Sequence, residues 1–265
     1  MRNWIAATLV LLAVLALPPE SVGQTAMEGG KAMTPRQAWG RVLEQFHSAG
    51  GLDYAGLAES RQELDVFLGS LKDADPEDWK TGDRIALWVN AYNAVVVHHV
   101  LERYPGIESV KDVDGFFDEL LFPVAGQDLT LDEIETRARD LGDARVHFAV
   151  VCASTSCPDL RPEPYRGEDL EPQLEDSTRL FLADTSKGLR WNHEQNNLDL
   201  SSIFKWYAGD FTGGSTVVAF FARGRVLDWI LPHLPTSRAD EIRDLNPTIR
   251  YMDYDWSLND YHRVD

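Results

Sequence analysis

Apolar residues recur at helical spacing along most of the chain and alternate with polar residues over shorter stretches. Helices therefore outnumber strands and do not alternate regularly with them. This pattern predicts an α+β fold class: a predominantly helical single domain with a central buried helix and short strands and hairpins. The predicted helices span residues 37–48, 58–72, 83–103, 130–140, 170–183, 201–211 and 216–231. The predicted strands are LFPV and QDLT around Ala125-Gly126, RVHFAVVC at 145–152, and the hairpin GLRWNH with NLDLS.

The first residues have the pattern of a secretory signal peptide. Arg2 precedes a charge-free apolar run at 5–17, which is too short to cross a bilayer comfortably, and small residues follow it. We predict a signal peptide at 1–23, a flexible lead-in at 24–35 and one globular domain at 36–265. The alternative is an uncleaved membrane anchor. With the signal removed, we expect a periplasmic or secreted protein that does not insert into the membrane.

The charge balance excludes several classes of partner. The 265 residues include 43 acidic and 25 basic side chains, which gives a formal charge of −18. A chain this acidic repels nucleic-acid phosphates and anionic membrane surfaces. The nucleotide-binding, zinc-protease, serine-hydrolase and calcium-binding motifs are all missing. We therefore predict no cofactor and no metal, and a small-molecule or peptide-like substrate as the ligand; the sequence names no partner protein.

The helix predicted at 83–103 carries polar side chains in an apolar setting. Residues 85–97 contain no charge, so the helix should be buried on nearly all sides, yet they include Asn90, Tyr92 and Asn93. A buried carboxamide must find hydrogen-bond partners. Either these side chains tie loops to the helix, or this face lines a pocket and binds substrate.

The segment at 146–160 carries the candidate chemistry. A buried strand would bring His147 to a sheet end, and Ser154 and Ser156 would then form a hydroxyl-rich loop suited to an oxyanion. Cys157 is a candidate nucleophile with His147 or His98 as its base. His98 and Glu102 are spaced to share a metal, but no third ligand follows at a recognisable spacing.

The cysteine pair leaves three interpretations open. Cys152 and Cys157 are the chain's two cysteines, so in an exported protein they can form a disulfide. Closing so short a loop adds roughly 2 kcal/mol in the chain-entropy model. Cys157 can instead be a reactive thiol, or both residues can be inert. The spacing is not CxxC, so a thioredoxin-like motif is not indicated.

The aromatic and acidic tail YMDYDWSLND is expected to dock across the domain. Docking would bring Asp255 towards the histidine-bearing segments. If Asp255 orients His147, a Cys-His-Asp arrangement is complete. The alternative is that Asp255 hydrogen-bonds backbone.

Several blocks of the sequence resemble, in order, the family called domain of unknown function 547. They are LWVNAYNAVVVHHVL, GQDLTLDEIE, VHFAVVCASTSCPDLRPEPY, LSSIFKWYAGDF and YMDYDWSLND, and the similarity runs over residues 85–259. The resemblance implies a conserved domain of bacteria and plants whose activity is not established. The family's characteristic positions fall on Trp88, Asn90, Tyr92, Asn93, His98, His147, Ser156, Pro158, Tyr165, Tyr254, Asp255, Trp256 and Asn259.

Two main function hypotheses follow. The first is an exported Cys-His hydrolase or acyl transferase that acts on amide or peptide-like envelope substrates. The second is a non-catalytic envelope binding or structural domain with a Cys152–Cys157 disulfide; a thiol redox role is a weaker third. Convergence of His98, His147 and Cys157 beside an open cleft would favour the first.

Overall fold

The computed structural model describes residues 27–28, 31–48, 50–213 and 222–261. Over these residues the fold is α+β and mainly helical, as predicted. The predicted signal peptide, part of the lead-in and the start of the helix predicted at 216–231 lie outside them. The helices are α1 (Pro35–Phe46), α2 (Tyr54–Glu59), α3 (Gln62–Leu71), α4 (Thr81–Leu101), α5 (Leu131–Arg139), α6 (Leu170–Ala183), α7 (Ile203–Trp206), α8 (Ala208–Thr212), α9 (Ala222–Ile230) and α10 (Thr236–Leu245).

The strands of the described residues form small sheets of two or three strands. Both predicted hairpins are present, and β9 adds a parallel neighbour to β8. Ala125 and Gly126, with φ values of 51° and 72°, make the two-residue turn between β5 and β6, which matches the twist of a hairpin. The pairs are β1 (Met27–Glu28) with β2 (Lys31–Ala32), β3 (His47–Ser48) with β4 (Gly51–Leu52), β5 (Phe122–Val124) with β6 (Gln127–Leu129), and β7 (Leu189–Asn192) with β8 (Asn197–Leu200), which β9 (Thr248–Tyr251) joins.

Helix α4 is the predicted central helix, and residues 88–97 are all buried. Its carboxamides tie loops to it. Asn90 Nδ2 donates to the Tyr165 carbonyl at 2.9 Å and its Oδ1 accepts from the Tyr165 amide at 3.0 Å. Asn93 Nδ2 donates to the Ala149 carbonyl at 2.9 Å, and its Oδ1 accepts from the Val151 amide at 2.8 Å. Both carboxamides are fully used on loop backbone, which favours the loop-tying alternative over their predicted substrate-binding role.

The strand predicted at 145–152 is wrong. Ala144–Phe148 is a 3-10 helix that begins with the Asp143 side chain accepting from Arg145 N, and residues 149–152 are irregular. Their backbone bonds to Asn93 instead of to a neighbouring strand. The segment runs between two hydrophobic cores, and burial from both sides produced the apolar pattern that resembles a strand.

One core surrounds α4, and the other is rich in aromatic rings. Val146 belongs to the first core, whereas Phe148 packs on Phe204 and Trp229 in the second. His147 lies between these two residues in sequence. The junction of the two cores is therefore where its ring is placed.

The C-terminal segment docks across the domain. Isolated bridges join Asp260 to Leu52, Ser257 to Ser109, and Leu258 to Ser154. Among the described residues, no helix has both the length and the apolar character that crossing a membrane requires.

Candidate functional site

A cleft of about 480 Å³ opens at the junction of the two cores. Tyr92 of α4 and Val150 contribute from the first core, while Ile203 and Tyr207 contribute from the second. The volume is in the range of small-molecule sites. Two further groups of residues line the cleft: the acidic side (Asp118, Asp132 and Glu135) and the aromatic wall (Trp206, Tyr254 and Trp256).

His147, which lines the cleft, is paired with the carboxylate of Asp210. His147 is 2% exposed, and its Nε2 lies 2.8 Å from Asp210 Oδ2. Arg139 Nε donates to the same oxygen at 2.8 Å. Burial lowers the pKa of His147, and the hydrogen bonds from His147 and Arg139 hold the pKa of Asp210 well below its usual range. An ionised carboxylate only accepts, so Nε2 carries the proton and Nδ1 of the neutral ring is the basic nitrogen.

Glu135 faces that basic nitrogen. Its Oε1 lies 4.0 Å from His147 Nδ1 and 3.8 Å from Arg139 Nη1, and this oxygen accepts no hydrogen bond from the described residues. Glu135 is 7% exposed, and burial raises its pKa against the opposing effect of Arg139. A carboxyl group that keeps its proton to higher pH is suited to general acid–base catalysis.

The acidic side brings a second carboxyl group close to Glu135. Asp132 and Glu135 are three residues apart on α5 and therefore share a face. Burial, and then the nearby Asp118 carboxylate, raise the pKa of Asp132. This part of the cleft therefore concentrates negative charge.

The aromatic wall faces the opening. The ring centroids of Trp206 and Tyr254 are 4.8 Å apart, those of Tyr254 and Trp256 are 4.6 Å apart, and Trp206 is 48% exposed. The Lys111 ammonium lies over Trp256, 4.8 Å from the ring centroid. The break between α7 and α8 at Tyr207, where one predicted helix becomes two, presents Trp206 to the cleft.

The two cysteines form a disulfide whose sulfurs line the cleft. Their Cα atoms are 6.2 Å apart, and Cys157 is 4% exposed. The structure thus contains the disulfide alternative, and Cys157 is no free nucleophile in this state. Ser154 Oγ donates to the Tyr254 hydroxyl at 3.2 Å, and that hydroxyl lies 3.3 Å from Cys157 Sγ.

We expect iodoacetamide to label neither cysteine of the native protein at neutral pH, because an alkylating agent requires a thiolate. After reduction, both should become alkylated. Mass spectrometry of protein treated with and without a phosphine reductant measures the difference. Labelling of Cys157 before any reductant is added would restore the free-thiol hypothesis.

The other predicted site residues do not converge on the cleft. His98 Nδ1 lies 3.1 Å from Arg61 Nη2, and the ring packs edge-on against Phe122, away from the cleft lining. The Asp255 carboxylate accepts from the Ser257 amide and hydroxyl, so it is Asp210 that orients His147. The described residues contain no group of three or more His, Cys, Asp or Glu placed to hold a metal ion.

Of the predicted substrate contacts, Tyr92 alone reaches the cleft. Ser156 Oγ accepts from the Asp255 amide at 2.9 Å, and the Ser154 hydroxyl is engaged with Tyr254. The hydroxyl loop is therefore used to dock the C-terminal segment. Tyr92 is fully buried, and burial raises its pKa well above the ordinary tyrosine value.

Sequence reasoning missed Glu135 and Asp210, the two carboxyl groups that face the ring nitrogens of His147. A signal for Glu135 was present: it shares the apolar face of α5 with Leu131, Ile134 and Ala138. A carboxylate on an apolar helix face needs a partner or a raised pKa. Asp210 carried no such signal, because its partner lies 63 residues away.

Comparison with known proteins assigns a family to part of the chain. No curated protein and no solved structure matches it. Residues 76–182 match the family model described as "Protein of unknown function, DUF547". This segment contains α4, α5, His147 and the disulfide, whereas the aromatic wall and Asp210 lie beyond it. Residues 76–182 are therefore similar to the DUF547 family of proteins of unknown function, in agreement with the sequence blocks between residues 85 and 182.

Proposed function

We propose that the protein is an exported hydrolase or acyl transferase that acts on amide or peptide-like substrates of the cell envelope. Proton transfer is assigned to Glu135, with His147 as its partner. The observation that carries the proposal is the Glu135 carboxyl group: buried, with a raised pKa and an unbonded oxygen, in an open cleft beside a neutral histidine. Perturbed ionisable groups in clefts are typical of catalytic sites.

In the proposed mechanism Glu135 transfers protons, while Asp210 and Arg139 position His147 beside it. Ionised Glu135 takes a proton from the attacking water or acceptor hydroxyl, and protonated Glu135 then returns it to the leaving amine. His147 Nδ1 lies 4.0 Å from Oε1, too far for a direct hydrogen bond, so a proton passes between the two groups through one water or a substrate hydroxyl. Asp210 and Arg139 fix the imidazole and its tautomer from the other side.

The thiol version of this hydrolase has less support. Cys157 Sγ is bonded to Cys152, and both nitrogens of His147 face carboxyl groups rather than sulfur. A Cys-His pair therefore requires both reduction of the disulfide and a new orientation of the imidazole. A carboxyl-based mechanism requires neither.

The proposal is tested with the mature protein on a panel of p-nitrophenyl esters, aminoacyl anilides and fluorogenic peptides. We expect turnover of at least one substrate, with the rate unchanged after iodoacetamide treatment in the absence of reductant. Inactivation by iodoacetamide without reductant would assign the reaction to a thiol. No turnover across the panel would favour the second candidate below.

The second candidate is a non-catalytic envelope binding or structural domain. It is favoured by how much of the polar cluster holds the fold together: Asn90 and Asn93 tie loops, and the disulfide closes its own loop. It does not account for a buried carboxyl oxygen left without a hydrogen bond beside an open cleft, a costly arrangement in a purely structural domain.

A further inference from the structure

The mouth of the cleft combines negative charge with aromatic faces, which is the chemistry that recognises an organic cation. The acidic side contributes three carboxyl groups, and Lys111 is the one cationic side chain among the described residues that line the cleft. Aromatic faces attract ammonium and guanidinium groups through the ring quadrupole. A ligand with a positive charge on an apolar stem satisfies both features at once.

The chain's own cations already use rings of this cleft in that way. Lys111 Nζ lies 4.8 Å from the Trp256 centroid, and the Arg139 guanidinium carbon lies 4.6 Å from the Tyr207 centroid. Trp206 and Tyr254 stand beside Trp256, and neither has a cation over its face in the described residues. Lys111 therefore shows how an ammonium on a flexible stem sits on this wall.

The cleft also contains a buried hydrogen-bond acceptor, Glu135 Oε1, that has no donor among the described residues. The Glu135 side chain is 9% exposed, and its Oε1 accepts no hydrogen bond from the described residues. Two of its neighbours within 4 Å are His147 Nδ1, which has no proton to give, and Arg139, which is committed to Asp210. An ammonium group beside Asp118 and Asp132 would offset the repulsion among the acidic side and leave this Glu135 oxygen for the attacking water or hydroxyl.

We infer that the cleft selects substrates that carry a free primary amine, as a lysine-like side chain or the amino terminus of a peptide. The amine lies between the aromatic wall and the carboxylates of Asp118 and Asp132, and the scissile bond lies towards Glu135 and His147. The position of the scissile bond rests on the proposed function. The binding of the amine does not depend on it. The formal charge of −18 adds long-range attraction for such a ligand.

The test measures binding rather than turnover. The probe is Nα-acetyl-lysine methylamide, titrated into the mature protein by calorimetry and by ligand-observed NMR. Its Nε-acetylated form has the same stem without the charge, and Nα-acetyl-glutamate methylamide reverses the charge. We expect the lysine probe to bind at least about tenfold more tightly than either control.

Variants locate the binding. Asp118→Asn with Asp132→Asn should weaken the lysine probe about tenfold. The control, Asp128→Asn with Asp140→Asn, removes the same charge at exposed positions outside the cleft and should leave the affinity within about twofold. Lys111→Met should strengthen binding severalfold, because it vacates a ring face and removes a like charge.

The outcomes separate this inference from the proposed function. Tighter binding of the glutamate probe, with loss on Lys111→Met, would overturn the inference in favour of an anionic ligand. Equal binding of the lysine probe and its Nε-acetylated form, or none of either, would also overturn it. Selective amine binding without turnover of any substrate would keep the inference and reject the hydrolase.

Discussion

Replacing Glu135 with Gln should lower kcat/KM about 10²- to 10⁴-fold on whichever panel substrate is turned over, while the protein stays folded. Glutamine keeps the shape of the side chain and its approach to Arg139, but it cannot exchange a proton. The loss should appear in kcat, because the missing event belongs to the transition state. Steady-state kinetics on both proteins at matched concentration give the ratio.

The matched control is Glu59→Gln, which makes the same change at an exposed position at the end of α2. Its kcat/KM should equal that of the unmodified protein. Retention of full activity in Glu135→Gln would remove this residue from the mechanism, whatever the cleft binds.

Glu135→Gln should also change how the free energy of unfolding depends on pH. Burial raises the pKa of Glu135 above its unfolded value, so the folded state prefers the protonated form. Ionising the buried Glu135 lowers the free energy of unfolding of the native protein. This loss is absent below the ordinary glutamate pKa and grows as the pH rises from that value through the folded pKa. Urea unfolding at a series of pH values should show Glu135→Gln gaining stability relative to the native protein as the pH rises above about 4.5.

Local signals in the sequence were enough for the helices and hairpins. The helix predicted at 170–183 has those bounds in the structure, and Thr130 with Glu133 forms the capping box that begins α5. These features depend on neighbours within four residues, so they can be derived without the fold. The strand predicted at 145–152 failed because burial between two cores produces the same apolar pattern as a strand buried in a sheet.

The site was predicted only in part, since its contacts join distant segments. His147 was identified as a candidate, but its partner was expected from the tail and is Asp210 of α8. Either carboxylate fits the chemistry, and nothing within a few residues of His147 distinguishes them. The proximity of Glu135, His147 and Asp210 can be predicted only when it is known that α5, the 3-10 helix and α8 meet.

Replacing Asn93 with Leu should lower the free energy of unfolding by about 3 kcal/mol. The substitution strands the Ala149 carbonyl and the Val151 amide, which now bond to the carboxamide at 2.9 and 2.8 Å. Each buried backbone group left without a partner costs roughly 1–3 kcal/mol, and leucine offers no compensating donor or acceptor. Urea denaturation followed by circular dichroism measures the shift in midpoint at constant m-value.

Gln62→Leu is the control, because it replaces an exposed carboxamide by the same apolar side chain on a helix. Its effect should stay within about 0.5 kcal/mol. The stranded segment also carries His147 and the start of the disulfide loop, so Asn93→Leu should lower any cleft-dependent activity beyond the loss expected from unfolding alone. An unchanged midpoint in Asn93→Leu would mean that residues 149–151 keep their conformation without these hydrogen bonds to α4. The bonds to Asn93 would then not explain why no strand forms there.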